Sequence, residues 1–144
     1  MTGLIMVQGP AQIQNIKEGK QTSILMADAP KGITSARVLI GEAGMGGRDG
    51  MIVGEFVCNT RIDHDVSKAI PERLLEVGCT DKWSIRGMSR NCQKPVTEFP
   101  IENIVFYDEP HSVNDYTRDG KMIEVLPRSW SHVDYPEKTP DGVF

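Results

Sequence analysis

Glycine and proline recur so often along these 144 residues, 14 and 9 times, that few stretches have room to become a long helix. Proline removes a backbone donor and glycine frees the backbone, so each tends to close the element before it. What stands between the breaks is mostly β-like: "ARVLIGE", "GMIVGEFVC", "IENIVFYDE", "KMIEVL" and "RSWSHVDY" carry β-branched and aromatic residues. The first two flank the glycine-rich "GEAGMGGRDG" and read as the arms of a hairpin. In the second arm Ile52, Gly54, Phe56 and Cys58 share one face, and Val53, Glu55 and Val57 the other, because side chains alternate along a strand. Glu55, on an otherwise apolar face, must find a partner or reach water.

Helical periodicity is confined to two short stretches. In "PAQIQNIKEG", Ile13 and Ile16 are three apart and Gly19 suits a stop. In "SKAIPERLLEVG", Pro71 takes the first helical position, Glu72 the positive end, Leu74, Leu75 and Val77 the core side, and Gly78 the close. "DKWSIRGMSRNCQK" and "PHSVNDYTRDG" read as polar loops, and "PEKTPDGVF" as a loose tail. Five or more short strands with two small helices predict an α+β domain on a barrel-like sheet, with residues 1–135 as one domain and 136–144 as its tail.

Apolar residues at 39% and charged residues at 25% fit a folded globular chain and argue against disorder. No apolar run approaches the roughly 20 residues that span a bilayer. "MTGLIMVQGP" lacks the basic start and long apolar core of a secretory signal, so a cytoplasmic location without a membrane partner is expected. The three cysteines, Cys58, Cys79 and Cys92, are odd in number and form no CxxC pair. They read as small hydrophobes of a reducing compartment rather than as a zinc set with His111 or His132, and neither metal nor cofactor is expected. The net charge of −4 argues against general phosphate affinity and leaves room only for a local basic face.

The glycine cluster is followed by Arg48, Asp49 and a strand, whereas a phosphate loop needs lysine and a hydroxyl at a helix start. No GxSxG elbow is present, and His111 and His132 read as surface residues beside strand ends. Arg86, Arg90 and Lys94 fall within nine positions, with Lys82 and Trp83 just upstream. Cations near an aromatic make a platform for single-stranded nucleic acid; a tryptophan anchoring a solvated loop to the core is the plainer reading. Trp130, between Arg128, Ser129 and Ser131, reads as an inward-facing strand residue. In "IKEGKQTSILM", Lys20, Thr22 and Ser23 are either a hydroxyl nucleophile with its activating amine or the solvated lip of a strand beginning at Ile24.

Taken in order, "IKEGKQT", "ARVLIGE", "GMIVGEF", "PERLLEVG", "KPVTEFPIENIVFYDEP" and "LPRSWSHV" resemble an ASCH domain, a relative of the PUA fold. The likeness covers roughly residues 12 to 135 and is strongest to the small stand-alone versions of phage and prophage genomes. It implies a β-barrel of five or six mostly antiparallel strands, two or three short helices beside it, and a cleft lined by the G-K-x-T turn. PUA-related folds commonly bind RNA, some small bacterial ASCH proteins are amidohydrolases that deacetylate acetylated cytidine, and at least one is similar to a ribonuclease in activity. Aligned on Gly19 and Thr22, the amidohydrolase lysine falls on Gln21 and its threonine nucleophile on Ile24. The family's Glu-Leu-Arg is here Ile24-Leu25-Met26, its glutamine before Ser-Trp is Arg128, and its common tryptophan is Phe99. Lys20 is one residue out of place, which along a strand means the opposite face.

Three functions stay open at this point. The first is a module that binds RNA or a nucleotide-like ligand through Lys20, Thr22, Ser23, Trp83, Arg86, Arg90, Lys94, Arg128 and Trp130. The second is a hydrolase or ribonuclease that uses Lys20, Thr22 and Glu55. The third is a phage-type interaction protein whose Asp108, Glu109, Asp115 and Asp119 meet a basic protein partner.

Overall fold

The computed structural model describes residues 2–43 and 50–134. In chain order the elements are β1 (Thr2–Gln8), α1 (Pro10–Lys17), β2 (Ser23–Met26), β3 (Ala36–Glu42), β4 (Met51–Cys58), β5 (Ile62–His64), α2 (Glu72–Val77) and α3 (Lys82–Met88). There follow β6 (Val96–Pro100), β7 (Glu102–Ser112), a 3-10 turn (Val113–Asp115), β8 (Thr117–Arg118), β9 (Lys121–Met122) and β10 (Trp130–His132). The strands form sheets ordered β10-β1-β3-β4-β7, β2-β6-β5 and β8-β9. The chain divides into two units, the first from Met1–Pro10, Ala36–Val57 and Ile104–Phe144, the second from Ala11–Ser35 and Cys58–Asn103.

The first unit is built on β1, whose "LIMV" run carries no alternation and gave no strand signal in the sequence. The reason is its position. It runs parallel to β3 from Thr2↔Ala36 to Gln8↔Glu42 and antiparallel to β10 from Leu4↔His132 to Met6↔Trp130. Leu4, Ile5 and Met6 are fully buried, as expected of a strand covered on both faces. Ile5, Leu39, Ile52, Val113, Tyr116, Ile123 and Val133 form this unit's core. Burying an aliphatic side chain of that size contributes about 1.5–3 kcal/mol. β3 and β4 lie side by side, as the hairpin reading expects, and most of the glycine cluster between them lies outside the described residues. β4 is buried on both faces, Val53 and Glu55 included.

Gly54 shows why β4 carries a glycine in its middle: a Cβ there would sit 2.5 Å from the Val105 carbonyl oxygen. That neighbour is backbone and cannot rotate away. Gly54→Ala is therefore expected to cost about 1–3 kcal/mol, read as a lower urea midpoint at unchanged slope. A wild-type midpoint would mean that β7 yields freely at this point.

In the second unit β6 is the central strand, antiparallel to β2 from Ser23↔Pro100 to Met26↔Thr97 and to β5 from Ile62↔Glu98 to His64↔Val96. Val66, Leu74, Ile85 and Val96 form its core. α1 buries Ile13 and Ile16 and is followed by Gly19 at φ 75°, the stop the sequence predicts. Pro71 is the residue before α2, extended at ψ 136°, rather than its first helical residue, and Gly78 caps the other end.

Several expectations are corrected. "DKWSIRGM" is a helix, not a loop: the Asp81 carboxylate accepts the Ser84 N–H at 2.8 Å as its N-cap, and Ile85 is buried. Seven residues with a single buried side chain leave too little periodicity to read. "PHSVNDYTRDG" holds the 3-10 turn and one arm of a two-stranded ribbon, and "KMIEVL" contributes only the other arm. The expected barrel is absent among the described residues. Closure needs hydrogen bonds between the outer strands, but β10 offers three residues, and β2, β6 and β5 pair with one another in their own sheet. The β1–β10, β2–β6, β5–β6 and β8–β9 pairings are antiparallel, as the mostly antiparallel expectation has it, and the seven-residue β1–β3 pairing is parallel. The expected tail from residue 136 lies outside the described residues, among which no helix is long and apolar enough to cross a membrane.

Candidate functional site

The net charge of −4 is divided unevenly. The second unit holds ten Lys and Arg against nine Asp and Glu, the first six against eleven, for net charges of +1 and −5. The second unit is thus the more basic of the two and can present a cationic face.

α3 carries that face. Trp83 is 81% exposed, so it does not anchor a loop to the core. Arg86 lies one turn further along and is also exposed. Beyond the helix, Arg90, Asn91 and Cys92 have φ of 52°, 58° and 66°, three consecutive non-glycine residues in the left-handed region. Each costs about 1 kcal/mol or more, so something must hold them there. That something is Ser89, fully buried, whose hydroxyl donates to the Ile85 carbonyl at 2.7 Å and accepts the Cys92 N–H at 3.0 Å. Its carbonyl accepts the N–H groups of Gln93 and Lys94, both at 2.9 Å. The result is a rigid turn that leaves Arg90 exposed and ends at Lys94. Lys94 Nζ donates to both carboxylate oxygens of Asp28, at 2.7 and 3.0 Å.

The G-K-x-T turn belongs to the same unit. Lys20 and Gln21 donate their N–H groups to the Asn15 carbonyl, and Thr22 donates its own to Val77, which fastens the turn to the end of α2. Lys20 is exposed, with Nζ 2.9 Å from Glu18. The hydrogen bond that Lys20 donates to Glu18, then the charge of that carboxylate, pushes the Lys20 pKa up. A lysine base needs the opposite shift, so desolvation does not activate this amine. Gln21, at the amidohydrolase's lysine position, is buried. Its amide donates to the Ser23 carbonyl at 3.1 Å, while its Oε1 meets no hydrogen-bond partner. Ile24, at the nucleophile position, is wholly in the core.

Ser23 leads to a node the sequence reading missed. Its buried hydroxyl donates to Glu98 Oε2 at 2.7 Å, and Glu98 is itself fully buried in the middle strand β6. Arg73 grips the same carboxylate with two donors, Nε to Oε1 at 2.9 Å and Nη2 to Oε2 at 2.8 Å. His64 Nε2 lies 2.9 Å from Oε1. Burial pushes the Glu98 pKa up, but the hydrogen bonds of Arg73, Ser23 and His64 outweigh it, and the net shift is downward. The serine donates to the carboxylate rather than to the imidazole and has no access to solvent, so this arrangement is not a nucleophile with its base. It is a charged rivet joining β2, β5, β6 and α2. The only sequence trace of it was a glutamate inside the apolar run "VTEF".

Glu55, Arg128 and Trp130 belong to the first unit, not to this face. Glu55 is buried with Arg37 Nε 4.0 Å from its Oε2, an ion pair too long for a hydrogen bond, and that oxygen meets no hydrogen-bond partner among the described residues. Burial pushes its pKa up, and Arg37, Tyr107 and His111 only partly oppose that. His111 is not a plain surface residue: it stacks on Tyr107 at 4.3 Å between centroids, and its Nδ1 lies 2.8 Å from the Tyr116 hydroxyl. Arg128 is exposed on a cavity of about 430 Å³ lined also by Val7, Glu42, Leu126 and Pro127. Trp130 is half-buried, edge-on to His132 at 5.4 Å, rather than facing inward. Cys58 is buried and Cys79 exposed, and no group of three or more His, Cys, Asp or Glu among the described residues is placed to hold a metal ion.

The fold and this face define a mixed α+β module with a solvent-facing Trp–Arg helix in a slightly basic unit. Its fold is ASCH-like. A serine-to-alanine variant of an ASCH protein from Zymomonas mobilis matches it with a TM-score of 0.66 at 13% identity, over 92% of this chain and 89% of that one. A tyrosine-to-phenylalanine variant gives 0.66 at 14% identity, over 93% and 91%. A further ASCH structure from the same organism gives 0.60 at 15%, over 92% and 88%. At such identities the likeness is one of fold. No protein-family model matches the chain, and no curated protein does.

Proposed function

We propose that this ASCH-like module binds single-stranded RNA or a nucleotide-like ligand through the second unit. The observation that carries the reading is the tryptophan at position 83, 81% exposed on the same short helix as Arg86. An indole held in water has no packing role, and a base that stacks on it removes that exposed area from solvent. Arg86, Arg90 and Lys94 supply cations for the flanking phosphates, with Lys20 and the Thr22 hydroxyl as outlying contacts. Ser23, tied to Glu98, fixes the start of β2 and touches no ligand in this reading. Arg128 and Trp130 are not required by it.

The test is a fluorescence titration of the intact chain with labelled single-stranded RNA and a matched DNA, at low and moderate salt. RNA-preferring binding that weakens with salt is expected. No binding to either at low salt would overturn the reading. The acidic first unit, with Asp108, Glu109, Asp115 and Asp119, would then be the surface to test against a basic protein partner.

A further inference from the structure

Three cations of the second unit point their charge at one exposed carboxylate. Lys94 Nζ contacts both oxygens of Asp28, and the fields of Arg90 and Lys31 reach the same group. Lys31 was no part of the basic stretch read from the sequence, because the chain brings it in from sixty-three residues upstream of Lys94. Asp28 is itself held at φ 52°, a left-handed position that aspartate tolerates better than most residues. Its side chain is 69% exposed, so another anion can approach the same cations.

We propose that the Asp28 carboxylate occupies a phosphate subsite: a phosphate of single-stranded RNA displaces it and takes over Lys94, with Arg90 and Lys31 alongside. The inference rests on the reading of the second unit as an RNA-binding face and adds a residue that opposes binding. A lysine ammonium is a point charge that accepts a carboxylate or a phosphate oxygen equally well. An exposed ion pair contributes little to stability, so exchanging one anion for the other is cheap. The Ser89-anchored turn keeps Arg90 and the backbone of Lys94 in place through the exchange. Asp28 thereby keeps the Lys94 ammonium at the subsite when no ligand is present and sets a threshold that stray anions do not meet. A strand already stacked on Trp83 passes it.

Asp28→Asn in the full chain tests this, by titration with labelled single-stranded RNA over a range of salt. The variant is expected to bind about two- to five-fold tighter, the range spanned by an exposed ion pair. Its plot of log affinity against log salt should keep the wild-type slope, because the same phosphate is neutralised in both complexes. Adding Lys94→Ala should abolish the gain and flatten that slope by about 0.7. Unchanged or weaker binding by D28N, or a gain that survives Lys94→Ala, overturns the subsite while leaving the RNA reading intact. If neither wild type nor D28N binds RNA at low salt, the RNA reading falls and takes the subsite with it.

Discussion

Glu98→Ala is expected to lower the stability of the second unit by about 1–3 kcal/mol, because it leaves the buried Ser23 hydroxyl and the largely buried His64 without their acceptor, while Arg73, 54% exposed, turns to water. Against a total stability of about 5–15 kcal/mol for a domain, that is a drop in melting temperature of about 5–15 °C. The size follows from geometry: one fully buried carboxylate takes four donors, from Arg73, Ser23 and His64, which belong to three other elements. Glu98→Gln keeps the shape but turns an amide donor toward donors, so it should recover little. The pH dependence has a definite sign. The folded-state pKa of Glu98 lies below its ordinary value, so its contribution is complete above the ordinary carboxylate range and is lost as pH falls through the lowered value. Melts of wild type and Glu98→Ala should therefore differ most near neutrality and converge in acid. A variant that melts like wild type at pH 7 would mean that water satisfies the four abandoned donors.

On the proposed function, Trp83→Ala is expected to weaken RNA binding by about 1–3 kcal/mol, the loss of one stacked base, or roughly 5- to 150-fold. The same variant should melt like wild type, since an indole 81% exposed in the free protein contributes almost no packing. The separation of the two readouts is the point. A tryptophan that anchored the helix would shift both. Arg86→Ala and Arg90→Ala act differently: each should lower the salt slope by about 0.7, and neither should remove the stacking contribution. RNA affinity unchanged by Trp83→Ala would remove the stacking contact from the proposal.

The residues that could be read from sequence were those whose local chemistry matches their final role. Gly19 and Gly78 close helices where expected, and Ile13 and Ile16 do turn inward. β1 escaped because a strand buried on both faces looks like any apolar run, and α3 because one buried isoleucine makes no period. The exposure of Trp83 was beyond any local signal: an identical sequence packs or projects its indole according to what the rest of the chain places beside it. Glu98 was hidden for a related reason. Its partners lie 25, 34 and 75 residues away, so a glutamate between Thr97 and Phe99 gave no hint of being the best-satisfied charge of its unit. The division of charge between the two units likewise needs the fold, because each unit is assembled from separated segments.

The position of β1 bears on how the chain is made. Its parallel partner β3 is complete once residue 42 has been synthesised, but the strand that covers its other edge, β10, ends at His132. Until residue 132 has been synthesised, Leu4, Ile5 and Met6 therefore sit at an open strand edge, a template for pairing with another nascent chain. A product terminated anywhere before Trp130 would keep that edge for good. For this protein the last dozen described residues act as a seal on β1, and their loss should show as aggregation.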